Sequence, residues 1–132
     1  MSFLRKKVGE IVLITIPGRP VPAVRMTQKD KWKDSAKKYL TYKNVIGIIA
    51  RQQCKFPTQQ SVAVIVRAYL KGKTTLMGMD GDVDNYLKSA LDGMNKIVFA
   101  DDRQVIQAVV LKLPCQHENE QRMEIEISIM EQ

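Results

Sequence analysis

The sequence predicts an α+β fold: a two-layer α/β sandwich whose small mixed four-stranded sheet carries two helices on one face, in the order β-α-β-α-β-β. Three observations lead there. Two stretches repeat apolar residues at three- and four-residue steps, the spacing of a helix with one buried face. Four other runs are β-branched and apolar, or alternate apolar with polar, as strands do. The chain has 132 residues and 45% hydrophobic content, enough for one core without staples, so 1–132 reads as a single domain.

The first strand is Glu10–Ile16, stopped by Pro17-Gly18-Arg19-Pro20-Val21-Pro22, where alternating prolines enforce an extended, non-helical path. Val24–Lys33 is polar and basic and reads as a loop. From about Asp34 to Lys55, Tyr39, Tyr42, Val45, Ile46, Ile49 and Ala50 mark an amphipathic helix, with Asp34 or Ser35 as its cap. Val62–Leu70 is apolar and β-branched, a buried strand. Lys71–Met79 is a basic loop. A second helix follows from about Val83 to Asn95, with Leu87, Ala90, Leu91 and Met94 on one face. Gln104–Leu113 and Arg122–Met130 complete the sheet. In the latter, Met123, Ile125, Ile127 and Ile129 alternate with Glu124, Glu126 and Ser128, so one face is wet.

Charge is divided unevenly. Residues 1–79 carry sixteen Lys and Arg against three acids, and residues 80–132 carry five against eleven, for a net +7. A basic half of this kind suits a polyanion, although lysines that merely solvate a surface give the same count. Cys54 and Cys115 are far apart and form no zinc or disulfide framework. The apolar run after Arg5-Lys6-Lys7 is too short for a signal peptide, and no stretch approaches membrane-spanning length. A soluble, cytoplasmic protein is therefore expected.

Against this basic background, Asp80, Asp82, Asp84, Asp92, Asp101 and Asp102 crowd into one short stretch. Hard carboxylate oxygens held together are the preferred ligands of a divalent cation such as Mg²⁺. Asp82 and Asp84 alternate in an extended segment, so both side chains can point one way. Asp84 also suits a helix N-cap, and Asp84, Lys88 and Asp92 recur at four-residue steps. A helix of about thirteen residues spans roughly 20 Å, so the chain after it must fold back if Asp102 is to meet Asp82 and Asp84. A strand running beside Val62–Leu70 is one way to do so. Each acid also has an ordinary structural use, as a cap, a turn residue or an ion-pair partner, and Asp92 reads as helix-surface decoration. Asp80-x-Asp82-x-Asp84 is not a calcium loop, because Asn85 stands where Gly is required and Leu91 where Glu is required. Gly72-Lys73-Thr74 is not a phosphate loop, because Arg67 occupies the first Gly position, so no nucleotide cofactor is expected. His117 is alone in a polar loop and reads as surface.

Asp82-Val83-Asp84-Asn85-x-x-Lys88, then Asp92, then Phe99-x-Asp101-Asp102-x-x-Val105, resembles the RusA family of Holliday junction resolvases. Ile14-x-Ile16-Pro17-Gly18-x-Pro20-Val21-Pro22-x-x-Arg25 is similar to the opening of its phage-type branch. The resemblance implies a homodimeric, Mg²⁺-dependent endonuclease that cuts four-way DNA junctions symmetrically. It implies Asp82, Asp84 and Asp102 as catalytic, metal-holding acids, with Asp101 an alternative to Asp102. Lys88 becomes the essential basic residue and Asn85 a residue that orients a carboxylate. Family members often carry basic residues just before the first catalytic acid, where this chain has Met79-Asp80-Gly81. DNA contacts then fall to Arg25, Lys29, Lys31, Lys33, Lys71 and Lys73, with Trp32 either stacking on a base or anchoring its loop. Rival readings are a non-catalytic branched-DNA-binding module, a broader flap or structure-specific metal nuclease, and a small metal binder without DNA. The exposed strand Arg122–Met130 is expected as an edge and a candidate dimer seam.

Overall fold

A computed structural model describes residues 9–27, 29, 33–72 and 81–130. Its elements are β1 (Ile11–Pro17), α1 (Asp34–Gln53), β2 (Val62–Lys71), α2 (Val83–Met94), β3 (Val105–Cys115) and β4 (Arg122–Ile129), with short 3-10 turns at Asp102–Gln104 and Glu118–Glu120. The order is β-α-β-α-β-β and the sheet is mixed, as the sequence predicts. Strand order is β1-β4-β2-β3. β4 runs antiparallel to both β1 and β2, while β3 runs parallel to β2.

The expectation that Arg122–Met130 forms an edge is overturned. β4 lies between β1 and β2, with Ile14 facing Ile125 on one side and Val66 facing Ile125 on the other. Alternation shows only that one face of a strand is wetter than the other. It says nothing about how many neighbours the strand has, and the edges are instead β1 and β3.

Both helices pack on one face of the sheet. Val12, Ile14 and Ile16 of β1, Val62, Val64, Val66, Ala68 and Leu70 of β2, and Met123, Ile125, Ile127 and Ile129 of β4 are buried beneath Tyr42, Ile46 and Ala50 of α1 and Tyr86, Ala90 and Met94 of α2. The two helices approach closely because glycines meet at their crossing. A Cβ on Gly93 would lie 2.6 Å from both Cβ and Cγ2 of Ile46, and one on Gly47 would lie 3.1 Å from Ile97 Cδ1. Helix starts differ from expectation. Lys33, not Asp34 or Ser35, precedes α1, and Asp82, not Asp84, precedes α2, in neither case with a side-chain cap bond.

Candidate active site at the start of the second helix

The segment before α2 is built around Gly81, whose φ of +75° favours glycine and where a Cβ would lie only 2.9 Å from Pro22. The proline strap therefore packs onto the approach to α2. Ala23 N donates to the Asn85 carbonyl at 2.9 Å, tying strap and helix together. From the sheet side, Lys112 Nζ of β3 donates to the Gly81 carbonyl at 2.7 Å. Tyr86, fully buried, anchors the first turn of the helix in the core.

Asp82 follows in extended conformation, and its carbonyl starts the helix by accepting from Asn85 N at 3.0 Å. Its carboxylate makes no cap bond. Asp82 and Asp84 are both exposed, the latter in the first helical turn, where the positive end of the helix dipole favours negative charge. Lys88 lies one turn further on. It lines a cavity of about 520 Å³ with Ala23, Val24, Arg25 and Asn85, so two cations from distant parts of the sequence stand beside the same helix start. Asn85 itself acts through its main chain, as the acceptor for Ala23.

Lys71 closes β2. Its amide donates to Gln121 Oε1 at 3.0 Å, and the Arg19 guanidinium bridges the Lys71 carbonyl and the same Gln121 oxygen. Arg25, Lys29, Lys33 and Lys71 are exposed. Lys31, Trp32, Lys73 and Asp80 lie outside the described residues.

Asp101 and Asp102 lie in the 3-10 turn before β3. The Asp101 carboxylate accepts from Arg103 N at 2.8 Å and from its Nε at 3.1 Å. Those bonds, the main-chain one first, hold its pKa below the ordinary carboxylate range. Gln104 completes the turn by accepting from Asp101 N and donating to the carbonyls of Thr58 and Gln60. Asp101 is thus occupied in shaping the turn, and Asp102, exposed, adds a side-chain bond to it.

The turn sits at the wrong end of α2 for the site first envisaged. After α2 the chain reverses at once, with Lys96 N donating to the Phe99 carbonyl and Phe99 bridging Asn95 and Thr58. β3 then starts opposite Val62, the first residue of β2. β3 does run beside β2, as the sequence reading asked, but the parallel crossover returns the chain to the starting end of β2. Asp82 follows the finishing end. Twelve helical residues, roughly 18 Å of rise, separate Asp82 and Asp84 from the turn that carries Asp102. Among the described residues, no group of three or more His, Cys, Asp or Glu stands close enough to hold a metal ion.

Three functional contributions were not legible in the sequence. Asp92, read as surface decoration, accepts a hydrogen bond from the Tyr39 hydroxyl and fastens α1 to α2. Lys112 braces Gly81, and being the one charged residue in β3 was the available signal. Gln104 carries none that could have singled it out.

Among known proteins, the family model described as endodeoxyribonuclease RusA matches residues 17–129. No curated protein matches the chain. Among the described residues, no helix is long and apolar enough to cross a membrane.

Proposed function

The chain belongs to the endodeoxyribonuclease RusA family, and from that premise we propose that it is a Mg²⁺-dependent, structure-selective enzyme that resolves four-way DNA junctions by paired symmetric cuts in recombination and repair. The observation that supports this best is that Asp82 and Asp84 stand exposed at the start of the helix that carries Lys88, and that Lys88 lines one cavity with Arg25. Acids that would repel phosphate share that helix start with cations that attract it.

The donor set fits the ion. Mg²⁺ is typically held by one or two carboxylates, waters and substrate phosphate oxygens, and Asp82 and Asp84 present such hard oxygens to solvent. When bound there, the ion would lower the pKa of an attacking water and relieve charge on the phosphoryl group. Lys88 faces charge developing on the phosphate, where a fixed cation acts most strongly in the transition state. Arg25, Lys29, Lys33 and Lys71 hold the backbone, with Lys31 and Lys73 as further phosphate contacts. Of the two acids in the turn before β3, Asp102 is the better third ligand, because the oxygens of Asp101 are engaged by Arg103, although within one chain it stands a helix length from Asp82 and Asp84. Two symmetric cuts require two sites, hence a homodimer.

Labelled four-way, flapped and linear DNA, each with and without Mg²⁺, test the reading. Paired cuts confined to the junction and dependent on Mg²⁺ are expected. Comparable cutting of flaps identifies a broader nuclease, and Mg²⁺-indifferent binding without nicks identifies a non-catalytic module. Asp82→Asn should abolish cleavage while keeping or strengthening junction binding, because it removes a negative charge beside phosphate. Affinity should fall steeply with salt, as phosphate-dominated binding does.

A further inference from the structure

The strap that follows β1 lines a second cavity, against α1, apart from the one beside Lys88. It holds about 350 Å³, within the range of roughly 300–1,000 Å³ typical of small-molecule pockets. Ile16 and Tyr42, both buried, form its floor, with Pro17, Val21 and Val45 as apolar walls. Arg19, Lys38 and Thr41 complete the lining. We propose that this cavity takes one unstacked base of the DNA substrate, packed against Tyr42 and hydrogen-bonded by it, with that nucleotide's phosphate at Lys38. The enzyme would then read sequence beside the phosphate it cuts. This rests on the nuclease reading above and adds a specificity pocket to it.

The lining suits a nucleotide. Apolar and aromatic walls remove the faces of a base from water, and a cation at the rim attracts its phosphate. Lys38 is exposed. The walls are set before DNA arrives. Prolines at 17, 20 and 22 restrict the strap, and the Arg19 guanidinium is held by the Lys71 carbonyl and Gln121 Oε1. Tyr42 supplies the group that protein leaves unused. The residue is 7% exposed, and its hydroxyl, closed to solvent, has no hydrogen-bond partner among the described residues. Buried polar groups are rarely left so. Burial, then nearby Tyr86, raises the Tyr42 pKa, so at neutral pH the hydroxyl keeps a proton to donate and can also accept. The edge of a base offers partners of both kinds.

The strap also ties this cavity to the acids. Val21 lines it, and two residues on Ala23 lines the cavity of Arg25 and Lys88 and donates to the Asn85 carbonyl. Pro22, between them, packs at Gly81, next to Asp82. Two extended residues span about 7 Å, or about two steps of 3.4 Å along a DNA strand. The base therefore belongs to a nucleotide close to the phosphate at Lys88. It enters only by leaving the stack, which costs least where pairing is already interrupted, as at a branch point.

Abasic scanning tests this. Four-way junctions lacking a single base at successive positions around the cut should be nicked normally by the wild type except at one position, where nicking falls at least about tenfold. Val45 is 36% exposed at the rim, so Val45→Trp fills the cavity from outside. This variant should cut the intact junction slowly, and the missing base should slow it no further, because base and cavity act as one unit. Tyr42→Phe should lose part of the abasic penalty, with Tm held or raised, since no partner in the protein is lost. A lowered Tm overturns the assignment of the hydroxyl to a base. Where Val45→Trp does not fold, Tyr42→Phe decides alone. An enzyme that cuts junctions with a flat scan, or whose protein and DNA losses simply add, overturns the pocket and keeps the nuclease reading. If no DNA is cut, junction binding is scanned in the same way. An abasic penalty on binding that vanishes in the variants keeps the pocket while the nuclease reading falls, and a flat binding scan overturns both.

Discussion

Gly93→Ala is the sharpest test of how α2, and with it Asp82, Asp84 and Lys88, is held in place. The new Cβ would stand 2.6 Å from Ile46 Cβ and Cγ2 and 3.2 Å from its Cδ1. Carbon atoms prefer separations of about 3.5–4.0 Å, so the helices must part by roughly 1 Å. Ile46 is fully buried and β-branched, and its χ1 has one favoured setting in a helix, so the side chain cannot swing aside. Overpacking of this kind costs about 1–3 kcal/mol. Alanine in place of glycine returns up to about 1 kcal/mol in a helix interior, and only a fraction of that at Gly93, the last residue but one of α2. The net expectation is a loss of about 1–2 kcal/mol, which lowers Tm by roughly 3–10 °C at this chain length. Thermal and urea unfolding measure it, with the urea slope unchanged. The sign is diagnostic. If α1 and α2 did not cross at this glycine, the propensity gain alone would make the variant more stable, and a raised Tm would refute the helix packing described here. Ile46→Leu moves the branch away from Gly93, so the double variant should lose less than the two single variants added together.

Other outcomes follow from hydrogen bonds the sequence did not reveal. Tyr39→Phe strips the half-buried Asp92 of its hydroxyl donor and should cost about 1–3 kcal/mol in urea unfolding. Burial, then the bond to Asp92, raises the Tyr39 pKa above that of a free phenol, so the stability it contributes is whole below about pH 10 and is lost as pH rises further. The Phe variant should show a shallower alkaline decline, and an unchanged profile would count against the clasp. Asp101 has the opposite sign. Its lowered pKa gives stability present above the ordinary aspartate range and lost as pH falls through it, so amides of the Asp102–Gln104 turn should lose protection, relative to their intrinsic exchange rates, in acid, and Asp101→Asn should lack that protection at neutral pH as well.

Local patterns were enough to locate the four strands and two α-helices among the described residues, because periodicity and turn chemistry are properties of neighbouring residues. Tyr39, Tyr42, Ile46 and Ala50 announce α1, and the β-branched run from Val62 announces β2, without reference to anything else in the chain. The motif Asp82-x-Asp84-Asn85-x-x-Lys88 was equally readable, since its members lie within two turns of one another. Pairing was not. Nothing in Arg122–Ile129 says that it will be gripped on both sides, and nothing in Val105–Cys115 says that it will be left at an edge. Nor could the sequence say which end of α2 would receive Asp102, because that depends on the parallel crossover that joins β2 to β3. Residue types and spacing therefore determined the elements, the acids and the basic surround. The tertiary structure alone decided strand neighbours, the bond between Tyr39 and Asp92, and the distance between the carboxylates, since each is a relation between segments dozens of residues apart that only the packing of one sheet against two helices brings into register.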